Sequence, residues 1–214
     1  MASAVERGRR TEMPTRERIL HEASELFARQ GYHATTTRQI ADAVGVRQPA
    51  LFHHFGAKSD IVKALLRWDL DEAVASTDRL AAEDGSAGVR LYRYLSHDLE
   101  HLADAPYNLS GVYAEDVMGD PTFGTWARKR AHVHAAVERI VQAGVESGEF
   151  VAVQPSMVRE AIAGILVRTL TLYSGGRRHD AALTDEIASL VLRGVLSDPS
   201  RMDEIRMAAR PDAP

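Results

Sequence analysis

Helical periodicity runs through almost the whole of this chain and constrains it to an all-α architecture. Apolar residues recur three and four apart in nearly every segment, no Asn-Gly or Asp-Gly hairpin joins two alternating runs, and proline and glycine punctuate the boundaries. A first helix is predicted over about Thr15–Gln30, with Ile19, Ala23, Leu26 and Phe27 on one stripe and Gly31 at its exit. Thr36-Thr37-Arg38-Gln39 reads as a capping box that opens a short helix ending near Val44. Gly45 supplies a tight turn with Val46 as its buried anchor, and a third short helix covers about Gln48–His54, with Pro49 tolerated in its first turn. Phe55-Gly56-Ala57 breaks the run before a longer helix that starts at Lys58 or Ser59. After the polar connector at 83–88, helices are predicted over Val89–Ala103, Leu109–Met118, Pro121–Ser147, Pro155–Ser174 and Leu183–Leu196. Residues 1–13 and 199–214 lack any pattern and read as mobile tails.

Several chemistries find no support. The 214 residues include no cysteine, which excludes disulfides, thiolate zinc sites and thiol nucleophiles. No Gly-x-Ser-x-Gly, phosphate loop or His-Glu-x-x-His occurs, and adjacent Glu115 and Asp116 diverge on a helix rather than share a proton. His97 and His101 lie four apart and share a helix face, yet two histidines are not a metal site, and Asp98, Glu100 and Asp104 beside them read as a solvated face. No metal or cofactor is therefore expected. The longest apolar stretch, near Ala161–Val167, is too short to span a bilayer, and the first residues hold no signal-peptide core, so the chain reads as soluble and cytoplasmic.

Charge is unevenly placed. The net value of −4 divides into +4 over residues 1–67 and −8 over residues 68–214, which suggests a local anionic partner for the N-terminal third. Two short helices joined by a glycine turn and braced by a longer one form a helix-turn-helix, whose second helix lies in the DNA major groove while the first meets phosphate. Thr36, Thr37 and Arg38, at a helix N-terminus, suit phosphate oxygens, and Lys58 suits the backbone on the other side. Arg7, Arg9 and Arg10 form either a minor-groove arm or a solvated tail.

The run Thr35 to Lys58, with Ile40-Ala41, Gly45-Val46 and the aromatic-rich Gln48-Pro49-Ala50-Leu51-Phe52-His53-His54-Phe55, resembles the signature of TetR-family repressors. Phe27-Ala28-Arg29-Gln30-Gly31-Tyr32 also fits that family's first helix and its exit, and the match covers about residues 15–62. The resemblance implies an all-α homodimer with an N-terminal DNA-binding domain, here 14–60, and a ligand-sensing and dimerisation domain, here 61–198. Such a dimer binds a palindromic double-stranded operator and is released by a small-molecule effector. It implies backbone contacts from Thr36, Thr37, Arg38 and Lys58, and a groove-facing set of Gln48, Pro49, Ala50 and His53 with His54 adjacent. Leu51 belongs to the core. Phe52 stands where the family commonly has a tyrosine whose hydroxyl meets phosphate, so that contact is lost and packing against sugar remains. Arg47 either reaches DNA or is a solvated turn residue.

The C-terminal part is larger than DNA binding requires. Tyr94, His97, His101, Tyr107, Asn108, Tyr113, Phe123, Trp126, Arg168 and Tyr173 place polar and aromatic groups among apolar ones, as ligand pockets between bundle helices do. The last two long helices suit dimerisation through Met157, Ala161, Gly164, Ile165, Thr169, Leu172, Ile187, Val191 and Val195. Two further readings stay open: an architectural DNA-binding dimer without a ligand and, more remotely, a helical enzyme.

Overall fold

The computed structural model describes residues 13–173 and 181–210, with the side chains of 171–173 excepted. Among these residues there are ten α-helices and no strand; a single isolated antiparallel bridge pairs Phe150 with Leu196. The helices are α1 (Thr15–Gln30), α2 (Thr37–Val44), α3 (Gln48–His54), α4 (Lys58–Ala82), α5 (Ala87–Ala103), α6 (Glu115–Met118), α7 (Gly124–Glu146), α8 (Pro155–Tyr173), α9 (Ala181–Val195) and α10 (Met202–Ala208). No helix among the described residues is long and apolar enough to cross a membrane.

The chain divides into two compact units, with the boundary inside α4 between Trp68 and Asp69. The first unit also takes in Pro106–Trp126, and the second holds Asp69–Ala105 and the chain from Ala127. In the first unit α1 packs on α2, and α2 on α3. Ile19, Ala23, Phe27, Ile40, Leu51, Ile61 and Leu65 are buried there, each on the apolar stripe of its helix. The 106–126 segment joins them through Leu109, Val112, Val117 and Phe123.

That segment departs from the predicted helix over Leu109–Met118. A 3₁₀ turn covers Leu109–Gly111, and the chain then opens before the four-residue α6. Two causes act. Asn108 accepts the Ser110 N–H through its side chain, which favours the tighter turn. Gly111 also passes so close to α1 that a Cβ there would lie 2.3 Å from the Phe27 carbonyl carbon. The predicted helix from Pro121 likewise opens as a 3₁₀ turn, Pro121–Phe123, capped by Asp120.

In the second unit α5 packs against α8, α9 and α10. Leu91, Tyr94 and Leu95 of α5 join Val137, Ile140, Ile162, Ala188 and Leu192 in one core. The predicted C-terminal tail is corrected here. Asp198 caps a 3₁₀ turn at Pro199–Arg201, and α10 follows, with Met202 and Ile205 buried in the same core. Arg206 fixes α10 by reaching Asp185 at 2.7 Å and the Ser189 hydroxyl at 2.8 Å.

Candidate nucleic-acid interface

The helix-turn-helix is assembled by local rules that the sequence carries. The Gln39 N–H donates to Thr36 Oγ1 (3.2 Å) and the Thr36 N–H donates to Gln39 Oε1 (2.8 Å), a complete capping box. The Thr37 and Arg38 N–H groups lie in the turn that has no intrahelical acceptor, so they face an anion's preferred position. Gly45 closes α2 in the left-handed region at φ 75°, a conformation that penalises a side chain. The Arg18 guanidinium of α1 donates to the Val44 carbonyl and so fastens the turn to the first helix. Val46, expected to be buried, is half-buried.

On α3 the division between core and surface is sharp. Leu51 is fully buried, while Gln48, Pro49, Ala50, His53 and His54 are exposed together with Arg38 of α2 and Arg47 at the α3 N-cap. Phe52 is 44% exposed, unusual for a phenylalanine. The two imidazoles meet edge to face, with ring centroids 5.6 Å apart. Gln48 Nε2 donates to Thr37 Oγ1 at 2.8 Å, which links the start of α3 to the start of α2. One amide hydrogen and Oε1 remain on Gln48, the donor and acceptor pair that complements the major-groove edge of adenine.

Lys58 is turned inward. Its Nζ donates to the carbonyls of Tyr32 and Thr35, each at 2.6 Å, and lies 4.2 Å from the centre of the Tyr32 ring. Burial lowers its pKa from the ordinary lysine value. Arg7, Arg9 and Arg10 lie outside the described residues.

The residues expected to bind a ligand fall in both units. In the first, Tyr107 packs edge to face on Trp68 (5.9 Å), Asn108 caps its 3₁₀ turn, Tyr113 is half-buried, and Trp126 stacks under Arg67 (5.8 Å). In the second, Arg168 is exposed on α8, and the side chain of Tyr173 lies outside the described residues. Tyr94, His97 and His101 share α5 and meet carboxylates. His97 Nε2 lies 3.2 Å from Glu72, His101 Nε2 lies 3.4 Å from Asp69, and Tyr94 Oη lies 3.5 Å from Asp98. The two imidazoles are parallel, 6.4 Å apart, and each faces its own carboxylate rather than a shared point. Among the described residues no group of three or more His, Asp or Glu could hold a metal ion.

Asp98 corrects the expectation of a solvated face. It lies on the buried stripe of α5, while Glu100 and Asp104 are exposed as expected. Burial, reinforced by the neighbouring Asp69 charge, raises its carboxyl from 3.8 to about 7. Tyr94 is pushed well above its ordinary value by burial and by Asp98. Burial disfavours the His101 cation, but the hydrogen bond to Asp69 and the surrounding carboxylates outweigh it, and its pKa is raised. Asp69, Glu72 and Asp98 were missed as partners of the candidate set. The signal for Asp98 was available, because Leu91, Tyr94, Leu95, Asp98, Leu99 and Leu102 form one continuous i, i+3, i+4 face.

Residues 19–65 match the family of bacterial regulatory proteins of the tetR type, and residues 85–195 match the tetracyclin repressor-like C-terminal domain. The HTH-type transcriptional repressor KstR2 of Rhodococcus jostii is 30% identical over 146 residues, covering 67% of this chain and 68% of that one. The crystal structure of Mycobacterium smegmatis AmtR superposes with a TM-score of 0.76 at 29% identity, covering 94% and 97% of the two chains. AibR, solved with isovaleryl coenzyme A and operator DNA, shares the fold, with a TM-score of 0.67 at 15% identity over 86% and 98% of the chains. The capped α2, the glycine turn and the exposed α3 thus sit inside matches that together span most of the chain, and it belongs to the TetR family of transcriptional regulators.

Proposed function

We propose that the chain is a ligand-responsive repressor that binds a palindromic operator as a homodimer. The observation that carries the operator reading is the exposed row of α3, Gln48, Pro49, Ala50 and His53, set beside the capped N-terminus of α2. Backbone-binding groups and base-reading groups there occupy adjacent helices, as a helix-turn-helix requires. Thr36, Thr37 and Arg38 hold phosphate, and Gln48 reads adenine with its free amide hydrogen and Oε1. Ala50 and Pro49 offer methyl-sized apolar contacts for thymine. Phe52 packs against sugar.

Dimerisation is assigned to α8 and α9. Met157 and Leu190 are 68% and 70% exposed, and Ala161 and Gly164 are exposed on the same helix as Met157. Large apolar side chains left in water on two helices that both pack on α5 favour a covering partner. Thr169 and Val195, expected at this face, are buried within their own unit instead, and Leu172 lies outside the described side chains. A twofold partner would place two α3 helices about one turn of B-DNA apart. The AibR complex is a precedent for a ligand and an operator on this fold; at its identity, no ligand carries over to this chain.

The experiment is selection from random duplex DNA with the full chain, followed by footprinting. A protected palindrome with half-sites about one helical turn apart is expected. Salt-sensitive binding without sequence preference would overturn the operator reading. Leu190→Glu is expected to yield monomers in sedimentation and lose the footprint, while unchanged dimers would remove α9 from the interface. Saturable release of the operator by a small molecule separates a sensor from an architectural dimer.

A further inference from the structure

We propose that Lys58 is a positioning residue rather than a phosphate contact: it latches the Tyr32–Thr35 loop and thereby holds the N-terminal end of α2 in place for DNA. The inference rests on the operator reading above, and it revises the role that the family resemblance implies for this side chain.

The geometry of the loop carries it. Lys58 opens α4, and its ammonium has three N–H donors. Two are committed to the Tyr32 and Thr35 carbonyls at 2.6 Å, and the Tyr32 ring covers the ammonium at 4.2 Å. Two carbonyls and a ring face thus already surround the cation that a phosphate would have to reach. The Tyr32 carbonyl also accepts the Thr35 N–H at 3.2 Å, and Thr35 Oγ1 donates to the Gly31 carbonyl at 2.8 Å. Thr35 is buried and precedes the cap residue Thr36 directly. The position of the Thr35 carbonyl thus sets where Thr36, Thr37 and Arg38 begin.

The far side of the latch is equally built. The Tyr32 ring is held edge to face by Phe27 of α1 (5.6 Å) and by Phe123 (5.5 Å), both fully buried or nearly so. A ring fixed on two sides gives the ammonium a rigid floor, and cation–π attraction adds to the two hydrogen bonds. The latch joins the first turn of α4 to the loop before α2, so a displacement of that turn is passed to the phosphate-facing N–H groups.

The test compares Lys58→Met, Lys58→Arg and Arg38→Ala in the full chain, first without DNA and then on the selected operator. Hydrogen exchange of free Lys58→Met is expected to accelerate at residues 32–38 while the α1 core keeps its protection. On the operator, its affinity falls roughly tenfold, the equivalent of one charged hydrogen bond lost to the fold. The slope of log affinity against log salt stays at the wild-type value, because no phosphate contact is removed. Arg38→Ala flattens that slope by about 0.9. Lys58→Arg, which keeps the charge and at least two donors, restores both exchange and affinity, and it serves as the reading should Lys58→Met fail to fold. Unchanged exchange together with a slope reduced as in Arg38→Ala would make Lys58 a phosphate contact and overturn the latch. If the wild type selects no site, the operator reading falls, while the exchange result on free protein still decides whether the latch exists.

Discussion

Replacing Asp98 by Asn isolates the effect of burying a carboxyl in the second unit. Asp98 titrates at 3.8 when free and at about 7 in the fold, chiefly because burial penalises its charged form. Between those values the folded state holds a proton that the unfolded state has released, so stability falls as pH rises. Each pKa unit is worth ~1.4 kcal/mol. From about pH 5 to about pH 7 this carboxyl alone therefore removes about 2 kcal/mol of unfolding free energy. His101, also raised, acts in the same direction: its contribution is present below about pH 6.5 and is lost as pH rises through its folded value. Asn keeps the shape and an acceptor for the Tyr94 hydroxyl but cannot ionise. Urea unfolding followed by far-UV circular dichroism is the appropriate assay, because both tryptophans, Trp68 and Trp126, lie in the first unit and neither stands in the unit that holds Asp98. The wild type is expected to lose stability steadily above about pH 5, and Asp98→Asn to lose much less, so that the variant is the more stable protein at about pH 8. Parallel curves for the two proteins across that range would refute the reasoning.

Three other expectations follow from contacts in the first unit. Gly111→Ala drives a methyl into the Phe27 and Ala28 main chain, where the nearest atoms stand 2.3 to 2.5 Å away; a loss of about 1–3 kcal/mol is expected in tryptophan-monitored unfolding. Thr36→Ala removes the cap that accepts the Gln39 N–H and is expected to cost about 1 kcal/mol, read as a lowered midpoint of the same transition. Thr37→Val keeps the shape but frees the Gln48 amide from its 2.8 Å hydrogen bond. Repeated selection should then show weaker preference for adenine at one base position, whereas a loss equal on all sequences would leave Thr37 as a phosphate contact only.

The helix-turn-helix was legible because its determinants are local. A Thr-x-x-Gln box, a glycine in the left-handed region and a proline in the first turn of α3 each act within four residues, so α1, α2 and α3 begin and end where their residues dictate. Legibility failed at 109–118 for a non-local reason. The apolar spacing there suits a helix, but Gly111 must pass the main chain of Phe27, which lies more than eighty residues earlier in sequence. Lys58 shows the same limit within a recognised motif. A lysine at a helix start reads as a phosphate ligand until the Tyr32 and Thr35 carbonyls are found within 2.6 Å of it.

The second unit is harder to read because its chemistry depends on protonation as well as position. The stripe Leu91, Tyr94, Leu95, Asp98, Leu99 and Leu102 locates Asp98 on an inward face from spacing alone. Spacing gives no hint that Asp69, on another helix, places a second carboxylate near it, or that His101 Nε2 lies 3.4 Å from Asp69. A solvated Asp98 would be an anion at neutral pH. Buried beside Asp69, its charged form is disfavoured and its carboxyl is raised to about 7. The Asp98 carboxyl is raised by burial and by Asp69 and lowered by His101 and Tyr94, so replacing any one of those three side chains is expected to shift it.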